Sequence, residues 1–363
     1  MRVAIVVKEF PPDSIGGLQT QTKRIASAIS ESDTETDVVV FTKRYRAHDD
    51  SDLPFEVVRI PQLGISPFIS DLTFLALAFV TLIFRSRKFD CMQCMTIYPI
   101  GFLGLMVNRV TSVPYFAWIR GNDFYQMRHV WWKRWMIRRV LSDTRVLVQS
   151  EEIEHDVLEF FPDLDPGIGV LGNGVTVADE KSPLESDVVL FVGRLAPKKG
   201  VQYLIEAMAT VESDAELWIV GDGENRSALE TRANDLGIDV TFHGTVDPDE
   251  VSGFYQQASV LVLPSLEGEG MPNAVLEAMA YGLPVVTTRS GGLASVIDDG
   301  TSGFLVPMED ADALGERIEQ LLTEPETRNR IGTNAREYVV ANHSWDSLVR
   351  NLTQRYDRLS ESG

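Results

Sequence analysis

Short apolar runs alternate with amphipathic stretches along most of the chain. RVAIVV (2–7) has the pattern of a buried strand, PPDSIGG (11–17) that of a Gly–Pro turn, and LQTQTKRIASAIS (18–30) that of a helix with one apolar face. DVVVFT (37–42) and FEVVRI (55–60) are further strands, and RVLVQS (145–150) is expected to close a first sheet. Residues 163–187, DLDPGIGVLGNGVTVADEKSPLESD, are rich in Gly, Pro and acid and lack periodicity, which places a linker near 174–186. VVLFVG (188–193) opens a second strand–helix series, and HSWDSLVRNLTQRYDRL reads as a terminal helix. Alternation of this kind is the mark of parallel α/β layers. The 363 residues are comfortable for two domains.

Composition narrows the class. The net charge of −20 makes nucleic acid a poor partner. It is uneven: residues 1–180 carry −4 and residues 181–363 carry −16. With only 8 Lys beside 25 Arg, the acidic excess suggests a salt-rich, halophilic cytosol in which acidic surfaces preserve solubility. The chain opens with a core strand, MRVAIVVKEF, rather than a signal peptide, and the expected location is cytoplasmic. Cys91 and Cys94 are the two cysteines, and on a strand positions three apart face opposite ways. They are therefore expected to be buried and inert rather than a shared metal site. The longest apolar run, Ile65 to Phe84, contains Pro67 and Asp71, so a core or interfacial helix is expected rather than a membrane span. RHVWWKRWMIRRV (128–140) holds three Trp and six basic residues without an acid. That composition suits either a membrane headgroup region or a core-facing aromatic stripe with a solvated basic face.

The most informative stretch is PSLEGEGMPNAVLEAMAYGLPVVTT (264–288). It reads as a glycine turn and a helix set between two strands, with Glu269 at the mouth of the turn and Glu277 eight positions on. Such a turn presents backbone N–H groups at a helix N-terminus, where the helix dipole favours an anion. A loop that holds phosphate and offers two carboxylates to hydroxyl groups suits a sugar nucleotide. This segment resembles the Glu-x7-Glu motif of the retaining nucleotide-sugar glycosyltransferases of family 4 (glycosyl transferases group 1). The resemblance extends over nearly the whole chain, through GNGV (172–175), VLFVGRLAPKKGVQYLIEAM (189–208), LWIVGDGENRSALE (217–230), VTFHGTVDPDEVSGFYQQASVLVLPS (240–265) and GGLASVIDDGTSGFLVP (291–307).

The resemblance implies the GT-B fold, two Rossmann-like domains facing across a cleft. Residues 1–178 would bind the acceptor, 179–342 the nucleotide sugar, and the 343–363 helix would return to the first domain. It implies that Glu277 accepts hydrogen bonds from ribose hydroxyls and that Glu269 contacts the donor sugar; the spacing to Glu277 selects Glu269 over Glu267. Arg194 and Lys199, at a strand end, would neutralise the leaving diphosphate, with Lys199 rather than Lys198 in the family's Lys-Gly position. Backbone N–H groups of Gly270, Met271 and Asn273 would bind phosphate, whereas Pro272 has no N–H to give. Gly16 and Gly17 would let backbone approach the donor, and Val246 in GTV (244–246) would approach the base. In IRGNDF (119–124), Arg120 stands where the family often has His. Arg120 is left as a possible phosphate contact, and Asp123 as a sugar contact or merely a partner of Arg120.

DLD (163–165) and DPD (247–249) read as turns, and no essential metal or cofactor is expected. The expected reaction is retaining, metal-independent hexosyl transfer from a UDP- or GDP-linked sugar to a glycan or polyprenyl-linked acceptor in cell-surface polysaccharide or glycoconjugate synthesis. Peripheral membrane contact through 128–140 is allowed for. The alternatives are a non-catalytic sugar-nucleotide-binding subunit, kept open by Arg120, and an epimerase, which would need acid–base groups not evident here.

Overall fold

The structure, a computed structural model, describes residues 1–360 apart from 15, 33, 47, 248–249, 267–270, 272 and 291. The chain divides into two compact units, Met1–Gly174 with Trp345–Gly363, and Val175–Ser344.

The first unit is built on a parallel sheet of seven strands: β1 (Arg2–Val6), β2 (Asp37–Lys43), β3 (Glu56–Ile60), β4 (Cys91–Cys94), β5 (Tyr115–Ile119), β6 (Val146–Val148) and β7 (Ile168–Val170). Their order, β3-β2-β1-β4-β5-β6-β7, reverses between β1 and β4. The strand RVLVQS does not close this sheet, contrary to expectation. β7 adds an edge strand from inside the supposedly irregular stretch. Its three residues, with Gly169 at the centre, are too short and too exposed to show a period. Both sheet faces are covered. Cys91 packs in the cluster with Val3 and Ile5, and Cys94 in the opposite one with Ala4 and Val6. The two thiols thus lie on opposite faces, and burial pushes each up to about 12.

The terminal helix Trp345–Ser360 belongs to this unit. Tyr356 stacks on Phe116 with ring centroids 5.6 Å apart, and its hydroxyl donates to Gln93 Oε1. The helix Pro67–Arg85 is not a core helix. It buries only Ser70, Phe74, Ala78 and Leu82, a narrow stripe of one residue per turn.

The second unit holds six parallel strands: β8 (Val188–Val192), β9 (Glu216–Val220), β10 (Val240–Gly244), β11 (Val260–Leu263), β12 (Val285–Thr288) and β13 (Phe304–Val306). Their order is β10-β9-β8-β11-β12-β13, which reverses between β8 and β11. Helices on both faces bury one continuous core around Leu190, Ile219, Leu261 and Val286.

Candidate functional site

In open α/β sheets, ligands bind beyond the carboxyl ends of strands where the strand order reverses. In the second unit that point lies between β8 and β11, which pair in parallel through Val189 with Val260 and Leu190 with Leu261. Arg194 and Lys199 leave β8, and the loop that leads to Glu277 leaves β11, so adjacent strands deliver both groups to the same sheet edge.

Backbone contacts hold these loops tightly. Leu266 N–H donates to the Lys198 carbonyl at 2.8 Å, tying the β11 loop to the β8 loop. Gly200 has φ +66°, and a Cβ there would stand 2.0 Å from the Pro264 carbonyl oxygen. A Cβ on Gly221, at φ +133°, would meet the Gly193 oxygen at 1.9 Å. No side chain fits either place, so the crossing of these loops depends on glycine. Arg194 is exposed and Lys199 half-buried, so both cations stay near water at the strand edge.

Glu277 lies on the helix Asn273–Ala280, half-buried. Its Oε2 accepts a hydrogen bond from the Tyr255 hydroxyl at 3.0 Å, and Tyr255 stacks on Tyr281 at 5.6 Å. Burial, with the Glu277 charge beside it, drives the Tyr255 hydroxyl well above its ordinary range, so it remains a donor. Sequence reasoning missed Tyr255 because no spacing rule links it to a carboxylate 22 positions away. Met271 and Asn273 stand at the start of that helix, and Met271 packs against the core. Glu269 and Gly270, with Glu267, lie outside the described residues. Val246 follows β10, the edge strand two places from β8.

In the first unit, Gly16 and Gly17 lead from β1 into the helix Gly17–Glu31. Gly16 is extended at φ −170°, a conformation open to any residue, and a Cβ on Gly17 would meet nothing within 4 Å. Arg120 and Asp123 lie beyond β5. Asp123 accepts from the backbone N–H of Ile97 and of Arg120, each at 2.8 Å, and so clamps the β4 loop to the β5 loop. Burial raises its carboxyl from 3.8 to about 6 despite these bonds. Arg120 lies 4.7 Å over the Trp118 ring and donates from Nη2 to Asn173 Oδ1 at 2.9 Å. Asn173 Oδ1 also accepts from Gln149 Nε2 at 2.7 Å. Burial lowers the Arg120 guanidinium to about 10. Its Nη2 bond is therefore directed into the GNGV segment, and Nη1 is buried with no hydrogen-bond partner among the described residues. Of the two Asp-x-Asp spacings, Asp163 pairs with Arg138 at the surface, while part of 247–249 lies outside the described residues.

Comparison with known proteins agrees with this architecture. Residues 176–338 match the family described as glycosyl transferases group 1, and residues 16–174 match the glycosyl transferase 4-like domain. An uncharacterized glycosyltransferase of Methanocaldococcus jannaschii is 26% identical, with 98% of each chain covered. A GDP-mannose-dependent monoacylated alpha-(1-6)-phosphatidylinositol monomannoside mannosyltransferase of Corynebacterium glutamicum is 27% identical, with 97% of each covered. Among solved structures, Anabaena HepE in complex with UDP superposes with a TM-score of 0.80 at 17% identity, covering 99% of this chain and 100% of that one. Two parallel sheets, each with its strand-order reversal, together with family matches across both units, show that the chain belongs to the group 1 glycosyltransferases of the GT-B fold, with a family 4-type first domain.

Proposed function

We propose that the chain moves a hexosyl group from a nucleotide-sugar donor, held by the second unit, to a glycan or lipid-linked glycan acceptor bound by the first. The observation that carries this reading is the delivery of Arg194, Lys199 and the Tyr255-anchored Glu277 to one sheet edge, at the β8–β11 reversal. Glu277 binds the ribose hydroxyls, while the two cations neutralise the diphosphate as the bond from anomeric carbon to phosphate oxygen breaks. The acceptor oxygen forms the new bond on the same face, so the anomeric configuration is retained. Its proton passes to the leaving phosphate oxygen, and a nucleoside diphosphate departs. Charge neutralisation by Arg194 and Lys199 supports a reaction without an essential metal. Glu269 is the proposed sugar contact, and the N–H groups of Gly270, Met271 and Asn273 the phosphate contacts.

A cytoplasmic enzyme touching the membrane face through the basic, Trp-bearing helix Trp131–Leu141 fits a role in cell-surface glycoconjugate synthesis. The name of the corynebacterial relative, with its monoacylated phosphatidylinositol acceptor, supports a lipid-bearing acceptor here. The test is release of nucleotide from a panel of UDP-, GDP-, ADP- and TDP-sugars in high salt with EDTA. Turnover of one donor, lost in Glu269→Ala and in Lys199→Ala, is expected. Silence toward every donor, with lipid phosphate present, would count against catalysis.

A further inference from the structure

The first unit contains a large apolar groove that the proposed chemistry does not use. It measures about 1200 Å³, above the ~300–1,000 Å³ typical of sites for compact ligands. One wall is the helix Pro67–Arg85, which presents Leu72, Leu75 and Phe79. The opposite wall is the helix Trp131–Leu141, with Trp132 and Met136, and Met106 lies between them. The inner end is polar. Lys8 and Glu9 at the carboxyl end of β1, Thr96 beyond β4 and Asp123 beyond β5 all line it. The Thr96 hydroxyl is buried there without a hydrogen-bond partner among the described residues. The groove therefore begins at the strand-order reversal of this sheet and runs outward between two helices.

Its wall is fixed in place. Asp71, on the first of these helices, receives Lys8 Nζ at 2.7 Å and Lys43 Nζ at 2.8 Å. Burial opposes the Asp71 charge, but the two lysine hydrogen bonds outweigh it and hold the carboxyl below its ordinary value. A helix pinned in this way nevertheless leaves large apolar side chains in water, with Phe68 73% and Phe84 85% exposed. Trp131, on the other wall helix, is 80% exposed. Apolar surface on this scale marks an interaction site. The outer rim identifies the occupant by charge. On a chain of net −20, the helix Trp131–Leu141 carries Lys133, Arg134, Arg138 and Arg139 and no carboxylate; Arg138 is paired with Asp163, and Lys133 is the one of the four that lines the groove. Lys133 lies 5.4 Å from the centroids of both Tyr98 and Trp132, at the groove itself.

We propose that this groove binds the hydrocarbon chain of an anionic membrane lipid whose charged head meets Lys133 at the outer rim, and that the acceptor is such a lipid. The word acceptor rests on the transferase reading; the chain site does not. The test uses the full chain with vesicles of phosphatidylcholine and phosphatidylglycerol, the latter carrying a photoreactive diazirine near the end of one acyl chain. Crosslinks are mapped by mass spectrometry. They are expected on Leu72–Phe79, Met106 and Met136. Ala76 lines the groove yet is exposed, so Ala76→Trp fills the space without disturbing the core and should cut these crosslinks at least five-fold. Met308→Ser, at an exposed apolar residue of the second unit, should leave them intact, and circular dichroism verifies that both variants are folded. Crosslinks scattered over exposed surface and unchanged in Ala76→Trp would overturn the proposal. So would their absence, or burial of the groove in a dimer seen by sedimentation. Nucleotide release is measured on the same samples. Groove labelling that Ala76→Trp abolishes, with no release from any donor, would sustain the chain site and refute the transferase reading. Release that proceeds equally in wild type and Ala76→Trp with lipid acceptors would refute the groove as the acceptor's site.

Discussion

The Tyr255 phenol holds one oxygen of Glu277, and its removal tests the role of that carboxylate apart from the fold. Tyr255→Phe removes the 3.0 Å hydrogen bond but keeps the ring stack on Tyr281. A hydrogen bond to a charged group contributes ~1.5–3 kcal/mol, so calorimetric titration with nucleoside diphosphate should show roughly ten-fold or greater weakening with Tm little changed. An unaltered Kd would show that the phenol does not position the carboxylate for nucleotide. Gly17 offers a complementary test in the first unit. Nothing in the fold meets a Cβ there, so Gly17→Ala should leave Tm within about 1 °C while lowering kcat/KM several-fold if backbone must approach substrate. A purely structural turn would show neither change. Asp123 gives a pH test. Its folded carboxyl, raised to about 6 from 3.8, favours the protonated form. Its stabilising contribution is complete below the unfolded value and is lost as pH rises through 6. Urea titrations from pH 3.5 to 7 should show this negative slope in wild type and a weaker one in Asp123→Asn; parallel slopes would assign the trend to other groups.

At the scale of elements, the terminal helix Trp345–Ser360 is the clearest case of a distant segment completing a core. Tyr356 is fully buried, stacked on Phe116 and bonded to Gln93. Tyr356→Phe leaves the Gln93 oxygen without this donor and should cost about 1–3 kcal/mol in denaturant unfolding, with the midpoint moving and the slope unchanged. A shift below 0.5 kcal/mol would mean that Gln93 finds another donor. That helix was legible in sequence because an apolar face recurs through Leu348, Leu352 and Tyr356. The buried strands β1, β8 and β11 were equally legible as continuous apolar runs. β7 was not, because three half-exposed residues around a glycine carry no period. The opposite placement of Cys91 and Cys94 followed from strand geometry alone. The exposure of Pro67–Arg85 did not, since composition cannot tell a core helix from one that faces outward. The placement of Arg194 and Lys199 after β8 and of Glu277 on the helix after β11 was legible in the sequence. What remained hidden was the tertiary support, Tyr255 under Glu277 and Asn173 beside Arg120, because those partners meet only when distant segments pack.

For the whole molecule, charge is divided more sharply between the folded units than along the sequence. Val175–Ser344 contains 11 basic and 29 acidic residues, a net −18, leaving −2 for the remainder of the chain. The proposed donor is a diphosphate, so it approaches a unit of its own sign and meets Arg194 and Lys199 only at short range. The two contributions respond to salt differently. Screening shortens from ~10 Å at 0.1 M to ~3 Å at 1 M. It removes the long-range repulsion of the acidic surface before it erodes contacts made within a hydrogen-bond length. Donor KM should therefore fall as KCl rises from 0.1 to 1 M, opposite to the weakening that a predominantly cationic site would show. Stability should rise over the same range as self-repulsion within the acidic unit is screened, with hydrogen exchange slowing more in β8–β13 than in β1–β7. A donor KM that climbs steadily with salt would mean that the two local cations dominate the field felt by the diphosphate. The acidic surface would then bear on solubility alone, and the halophilic reading of the composition would lose its functional consequence.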